Sequence, residues 1–316
     1  MAVIYHGGIT HLPRANGMSD IQWRGVFPAL TTKFTTDDKL DWQVMEQHLA
    51  FQLQAGVNGL IILGSLGENA TLSQDEKREM VKFFAAAERH GRPLVVCIAE
   101  SSTRQARQFA EAAAQAGADA FMLLPPMRYA GDRRETLTYL NAVAAATDLP
   151  VMLYNNPIAY TTDILPEDFD RLADNARFVA IKESSGDTRR LSEIRRLTGG
   201  RFALFCGVDD LALEAFAVGA DGWVAGLVAA FPHETLRLWE LAAAGDWSQA
   251  RSLYQWFLPL LHLDVGRKFV QQIKLVESLM GVGSARVRGP RMQLGEQEAA
   301  RVEQVLQQAL ASRPEW

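Results

Sequence analysis

Cysteine is scarce. The 316 residues hold two, Cys97 and Cys206, each inside an apolar run (LVVCIA and FALFCG). That excludes a disulfide scaffold and leaves two buried thiols in a reducing compartment as the expectation. Runs of Lys and Arg are missing as well. With 32 basic against 37 acidic residues the net charge is −5 and the pI 5.7, so no nucleic-acid partner is expected. No apolar stretch is long enough to span a bilayer, and no membrane association is expected. Histidines number six. His262 and Asp264 lie two apart in LLHLDV, but nothing completes a ligand set, so a packing or helix-surface histidine is expected and no metal. The segment Met1–Ser19 holds His6, Pro13 and Arg14 and lacks a long apolar h-region, so it does not read as a secretory signal. Met18-Ser19-Asp20 is the expected natural start, and a cytoplasmic protein is expected.

What is present is a regular alternation. The chain is 48% hydrophobic and 22% charged, the balance of a folded globular protein. Short apolar runs predict strands at Gly25–Leu30, Gly59–Leu63, Leu94–Ala99, Ala120–Leu124, Val151–Tyr154, Phe178–Lys182, Ala203–Cys206 and Gly222–Ala225. Apolar residues at three- and four-residue spacing predict helices between them, at Asp41–Ala55, Gln74–His90, Thr103–Ala116, Arg133–Ala146, Pro166–Ala173, Thr188–Leu197 and Asp210–Val218. AGVNG, HGRP, AGADA, TDLP and VGADG punctuate the helix ends. Parallel strands need helical crossovers, and strands that are apolar throughout are buried on both faces. About eight such units predict an α/β fold, a (β/α)8 TIM barrel over residues 23–230. An N-terminal tail (1–22) precedes it, and a C-terminal helical extension or bundle (231–316) follows.

Barrel enzymes place their chemistry at the C-terminal ends of the strands. Strand six ends at Lys182, which should face the mouth, where desolvation would lower its pKa and free a neutral amine to attack a carbonyl. Taken alone, a strand-end lysine more often snorkels or pairs with a neighbour such as Glu183. Strand alternation turns Glu183 to the other side, which suits a structural role. VAIK at 179–182 spells the lysine strand of protein kinases, yet no glycine-rich loop precedes it and no kinase motif follows. Strand five runs into Tyr154-Asn155-Asn156-Pro157, where Tyr154 is either a proton donor and acceptor or a packed ring. Strand two runs into Gly64-Ser65-Leu66-Gly67-Glu68, a tight turn whose backbone N–H groups and hydroxyl suit an anion such as a carboxylate. The turn lacks the Gly-Lys-Ser/Thr of a nucleotide loop.

In this order and spacing, the GxxGE turn, the YNxP turn and the strand-six IKE resemble the dihydrodipicolinate synthase and N-acetylneuraminate lyase family of class I Schiff-base aldolases. The likeness runs from about Trp23 to the end. It implies that Lys182 carries a covalent imine, with no other cofactor, and that Tyr154 is the general acid/base. Ser65 and the N–H of Leu66, with Gly64, would bind the substrate carboxylate. Gly207 and Val224 would line the pocket, and Asn156 is taken with them as a substrate contact. The partner implied is a small 2-oxo acid or cyclic imino acid, and the assembly a homotetramer, a dimer of dimers.

Departures bear on substrate. Ala159 stands where dihydrodipicolinate synthases carry an arginine, Met127 and Arg128 replace their strand-four tyrosines, one of which joins a proton relay across the dimer, and Leu66 replaces a threonine. YNNPIAY, IKESS, GVDDLALE and GWVAGL resemble the 1-pyrroline-4-hydroxy-2-carboxylate deaminases of hydroxyproline catabolism. That likeness implies release of 2,5-dioxopentanoate and ammonia, with Arg128 either assisting the substrate or lying at a dimer contact. The alternatives are a dihydrodipicolinate synthase or other pyruvate-type aldolase, a 2-keto-3-deoxy sugar-acid dehydratase, and a non-catalytic sensor of 2-oxo acids.

Overall fold

The computed structural model of the chain describes residues 21–126 and 129–315. Eight strands run parallel: β1 (Gly25–Pro28), β2 (Leu60–Ile62), β3 (Leu94–Ile98), β4 (Ala120–Leu123), β5 (Val151–Asn155), β6 (Phe178–Glu183), β7 (Ala203–Cys206) and β8 (Gly222–Ala225). Their order, β1-β8-β7-β6-β5-β4-β3-β2, is the chain order with β1 joined to β8. Asn58 N–H donates to Val26 O at 2.9 Å and Leu30 N–H to Ile61 O at 2.8 Å, which seals β1 against β2. The sheet is therefore a closed barrel, as expected. The tail expected at the N-terminus lies outside the described residues up to Asp20.

The helices follow in turn: α1 (Trp42–Ala55), α2 (Gln74–Ala86), α3 (Thr103–Gln115), α4 (Arg133–Ala144), α5 (Pro157–Tyr160), α6 (Pro166–Leu172), α7 (Arg189–Thr198), α8 (Ala212–Ala217), α9 (Pro232–Ala243), α10 (Trp247–Leu261), α11 (Phe269–Leu279) and α12 (Glu296–Ala311). Local chemistry sets their ends. Asp41 accepts from Val44 N–H to start α1, and Gly56, at φ 94°, stops it in the left-handed conformation that an L side chain resists. Ser73 with Glu76 and Asp132 with Glu135 form capping boxes at α2 and α4. Helix α9 packs on β1, β8 and α1, covering the strands where the barrel closes, while α10 packs on α9, and α12 packs on both α10 and α11. No helix among the described residues is long and apolar enough to cross a membrane.

Some boundaries differ from the expectation for physical reasons. Strand β1 ends at Pro28: Ala29 N–H still donates to Ala225 O of β8 at 2.9 Å, but Leu30 N–H turns to Ile61 O of β2 at 2.8 Å. Leu63 leaves β2 with φ 62°, and α2 stops at Ala86 because Ala87 turns extended. The segment expected as one helix at 210–218 opens as a 3₁₀ turn over Asp209–Leu211. Helix α5 is an addition.

The lower barrel is plugged by aromatic rings. Phe27 meets Phe205 edge-on at 5.2 Å between centroids, and Trp23 stacks on Phe27 at 5.9 Å. A β-carbon on Gly59 would lie 2.3 Å from the Phe27 ring and one on Gly222 2.4 Å from that of Phe205, so glycine makes room for both.

Two buried ion pairs tie the extension to the barrel. Lys33 Nζ meets Glu277 Oε2 at 2.6 Å, and Lys274 Nζ meets Glu68 Oε1 at 2.7 Å, with all four side chains fully buried. Further donors complete them: Thr31 Oγ1 to Glu277 at 2.7 Å, Lys274 Nζ to Thr32 O at 2.8 Å, and Arg288 N–H to Glu68 Oε2 at 3.0 Å. Burial pulls the Lys33 ammonium down to about 8, against the pull of Glu277, whose own carboxyl is held below its usual range.

Candidate active site

Lys182 and Tyr154 are register partners on β6 and β5, both buried. The lysine Nζ sits 4.2 Å from the centroid of the Tyr154 ring. Glu183 turns away, as alternation requires. Its carboxylate accepts from Asn155 Nδ2 at 3.1 Å and from Ser185 N–H at 2.6 Å, and burial raises it above the usual carboxylate range. Asn155 also donates to Asp163, which takes a two-pronged bond from Arg190 at 2.6 and 2.7 Å. This lattice fixes β5 against β6 and leaves the lysine facing a ring instead of a carboxylate. A neutral amine in such a place is a nucleophile for carbonyl carbon.

The turn after β2 is held by its carbonyls. Asn69 Nδ2 donates to Leu63 O at 2.8 Å, Asn69 N–H to Gly64 O at 3.3 Å, Glu68 N–H to Ser65 O at 3.1 Å and Thr32 Oγ1 to Gly67 O at 2.6 Å. Among the described residues no protein acceptor takes the N–H of Ser65 or Leu66. Those two donors, on a turn flanked by left-handed Leu63 and Glu68, are available to an anion. Glu68, by contrast, serves the buried pair with Lys274 and not the site.

The turn after β5 brings a residue that the sequence reading overlooked. Asn156 Oδ1 accepts from Ala159 N–H at 3.0 Å and Pro157 takes the first helical position, so α5 curls the chain back and returns Tyr160 to the mouth. The Tyr160 hydroxyl is hydrogen-bonded to Ser65 Oγ, and its ring meets Tyr154 edge-on at 5.9 Å and 85°. Burial, reinforced by Tyr154, pushes the Tyr160 phenol well above the usual tyrosine range. The Asn-Pro pair was the available signal, since a capping side chain before proline marks a helix start. Asn156 Nδ2 also donates to Tyr154 Oη at 3.1 Å, so its amide orients the tyrosine.

Gly207, directly after β7, is packed against the lysine stem. A β-carbon there would lie 2.7 Å from Lys182 Cε and 2.0 Å from Ser184 Oγ. Val224 is buried on β8. Asp209 is an unforeseen organiser: its carboxylate accepts from Trp223 Nε1 at 2.9 Å, Gly226 N–H at 3.1 Å and Leu227 N–H at 2.8 Å, and burial pushes it up to about 6. Gly226 in turn leaves room for Asp264, whose Oδ1 would lie 2.2 Å from a β-carbon there. His262 is exposed, with Nε2 3.7 Å from Asp210. Among the described residues no cluster of three or more His, Cys, Asp or Glu is placed to hold a metal ion. Cys97 and Cys206 are free and buried, and burial pushes both thiols up to about 12. Arg128, expected near the substrate, lies outside the described residues.

Residues 22–309 match the dihydrodipicolinate synthetase family. The chain is 32% identical over 286 residues to the 4-hydroxy-tetrahydrodipicolinate synthase of Salinibacter ruber, covering 89% of this chain and 94% of that protein. It is 30% identical over 285 residues to the enzyme of the same name from Methanothrix thermoacetophila, covering 90% and 96%. Among solved structures, the chloride-inhibited dihydrodipicolinate synthase of Acinetobacter baumannii complexed with pyruvate superposes with a TM-score of 0.87 at 27% identity, covering 91% of this chain and 99% of that one.

Proposed function

The chain belongs to the dihydrodipicolinate synthetase family of Schiff-base lyases, and we propose that it binds pyruvate or a closely related 2-oxo acid as an imine on Lys182 for a pyruvate-type aldolase reaction. The single observation that carries this reading is the Lys182 amine seated over the Tyr154 ring with no carboxylate at ion-pair distance among the described residues. In the proposed sequence the neutral amine adds to C2 of the oxo acid, and Tyr154 gives the carbonyl oxygen its proton. Loss of water then leaves the C=N bond. The protonated imine is an electron sink, so a proton departs from C3 and the enamine attacks an acceptor aldehyde. The N–H groups of Ser65 and Leu66, beside Gly64, hold the carboxylate; Gly207 and Val224 shape the wall, and Asn156 holds Tyr154. The names of the relatives and the pyruvate in the A. baumannii structure support a pyruvate-type first substrate. A homotetramer is the assembly proposed with it.

A second reading has one specific observation behind it. Ala159 offers a methyl group where an arginine would hold a second carboxylate, and its N–H is spent on Asn156. A reaction with no aldehyde partner suits such a turn: imine exchange from 1-pyrroline-4-hydroxy-2-carboxylate, elimination of the 4-hydroxyl, and hydrolysis to 2,5-dioxopentanoate and ammonia, with one water consumed overall. The test begins with borohydride reduction in pyruvate. An adduct on Lys182 is expected, and its absence with every 2-oxo acid tried would overturn both readings. Condensation of pyruvate with aspartate semialdehyde then supports the first, while ammonia release from the hydroxy-pyrroline overturns it in favour of the second.

A further inference from the structure

We propose that Tyr160 is a positioning residue that relays protons between Tyr154 and Ser65, so that one chain contains the whole path. The inference rests on the proposed roles of Lys182 and Tyr154. Its basis is geometric. Tyr160 is the last residue of α5, and three features set its place: the Asn156 cap, Pro157 at the first position, and Thr161 at φ 65° closing the turn. Thr162 Oγ1 anchors the following residue to Pro126 O at 3.1 Å. Nothing about packing alone requires the hydroxyl of such a ring to meet a serine, yet that is where it points. The ring faces Tyr154 edge-on, and Tyr154 in turn covers Lys182. The three hydroxyl-bearing residues thus join the lysine to the anion turn.

Such an arrangement suits a relay and not a base. The Tyr160 phenol is held protonated by burial, so it passes a proton only by accepting one as it gives one up. When Tyr154 protonates the departing carbinolamine hydroxyl, the C2–O bond breaks and water leaves. The nitrogen lone pair forms C=N, and Tyr154 is left as phenolate. Tyr160 O–H restores it, Ser65 O–H restores Tyr160, and Ser65 takes from solvent the one proton that formation of a protonated imine consumes. Each link loses one proton and gains one, so no oxidant or further reactant is needed. The reverse passage removes the C3 proton in the enamine step.

The test uses the full-length protein and pyruvate. Tyr160→Phe keeps the ring and removes only the hydroxyl, so KM should stay near the wild-type value while kcat and the rate of borohydride-trappable imine formation fall roughly 10- to 100-fold. The solvent isotope effect, measured across H2O/D2O mixtures, should change from a multi-proton to a single-proton dependence. Ser65→Ala should lose a similar factor, and Tyr160→Phe combined with Ser65→Ala no more than either alone. A Tyr160→Phe enzyme within about twofold of wild type in kcat, with the isotope dependence unchanged, would overturn the relay. Additive losses in the double variant would overturn it too. If wild-type enzyme forms no adduct on Lys182, the functional reading itself fails; if it does and the Tyr160→Phe rate is normal, only the relay fails.

Discussion

Lys182 points its amine at the face of Tyr154, 4.2 Å from the ring centroid, while the adjacent Glu183 turns outward to Asn155 and Ser185. The pair divides the labour of one strand end: one side chain for chemistry, one for holding β5 and β6 in register.

Tyr154→Phe preserves the ring beneath the amine and removes the proton. Turnover should fall about 10²- to 10⁴-fold with a smaller change in KM, read from steady-state kinetics. Lys182→Ala should yield no reducible adduct by mass spectrometry. An adduct persisting at another lysine would refute the assignment.

Gly207→Ala is the sharpest steric test. The new methyl would collide with Lys182 Cε and Ser184 Oγ; both side chains are buried, and the serine hydroxyl is bonded to Gly207 O at 3.0 Å. A displacement of about 1 Å at the amine should cost on the order of 10²-fold in kcat/KM, with about 1–3 kcal/mol of stability lost to overpacking. Rate and denaturation midpoint measured on the same preparation separate the two effects.

Lys274→Met leaves the fully buried Glu68 carboxylate with only the more distant Arg291 guanidinium, at 3.9 Å, as a cation. A loss of about 3–5 kcal/mol is expected in urea unfolding. Pairing it with Glu68→Gln should recover part of that loss, since the uncompensated charge disappears. A single variant as stable as wild type would show that the pair contributes nothing.

His48 supplies a pH dependence. Its Nε2 is 2.8 Å from Ala229 O, and burial, reinforced by Lys33, holds the ring neutral with a pKa of about 4. The unfolded chain takes up this proton near the ordinary value of 6.5, before the native state does. Stability from this residue is therefore complete above pH 6.5 and lost as pH falls through 4, to a limit of about 3 kcal/mol. Asp209 acts in the opposite sense, because its raised carboxyl lets the native state bind a proton first below about 6. The difference between wild type and His48→Gln, followed by thermal melts from pH 7 to 4, isolates the histidine. A pH-independent difference would refute it.

The barrel was legible because its signals are local. Continuous apolar runs marked all eight strands to within a residue or two, and glycines such as Gly56 and Gly117, both at positive φ, closed the helices where the punctuation placed them. Lys182, Tyr154 and Ser65 were legible too, as strand-end residues of a barrel. Tyr160 was not legible because nothing local in YNNPIAY says that one helical turn after Pro157 returns its hydroxyl to Ser65, 95 residues earlier. Glu68 was read with the anion turn, whereas its partner Lys274 lies 206 residues away. No periodicity in a sequence announces a contact of that span. The same holds for Lys33 with Glu277, and for the carboxylate of Asp209 folded back onto the end of β8.

The buried pairs between barrel and extension restrict how such a chain can be recombined. Helix α11 carries half of each pair, and the barrel carries Lys33 and Glu68. A chimera that takes its last helices from another barrel inherits two charges sealed from water unless the matching lysine and glutamate travel with them. The seam along which this protein can be cut and rejoined is therefore set by charge register, and the loop after the eighth strand is no natural place for the knife.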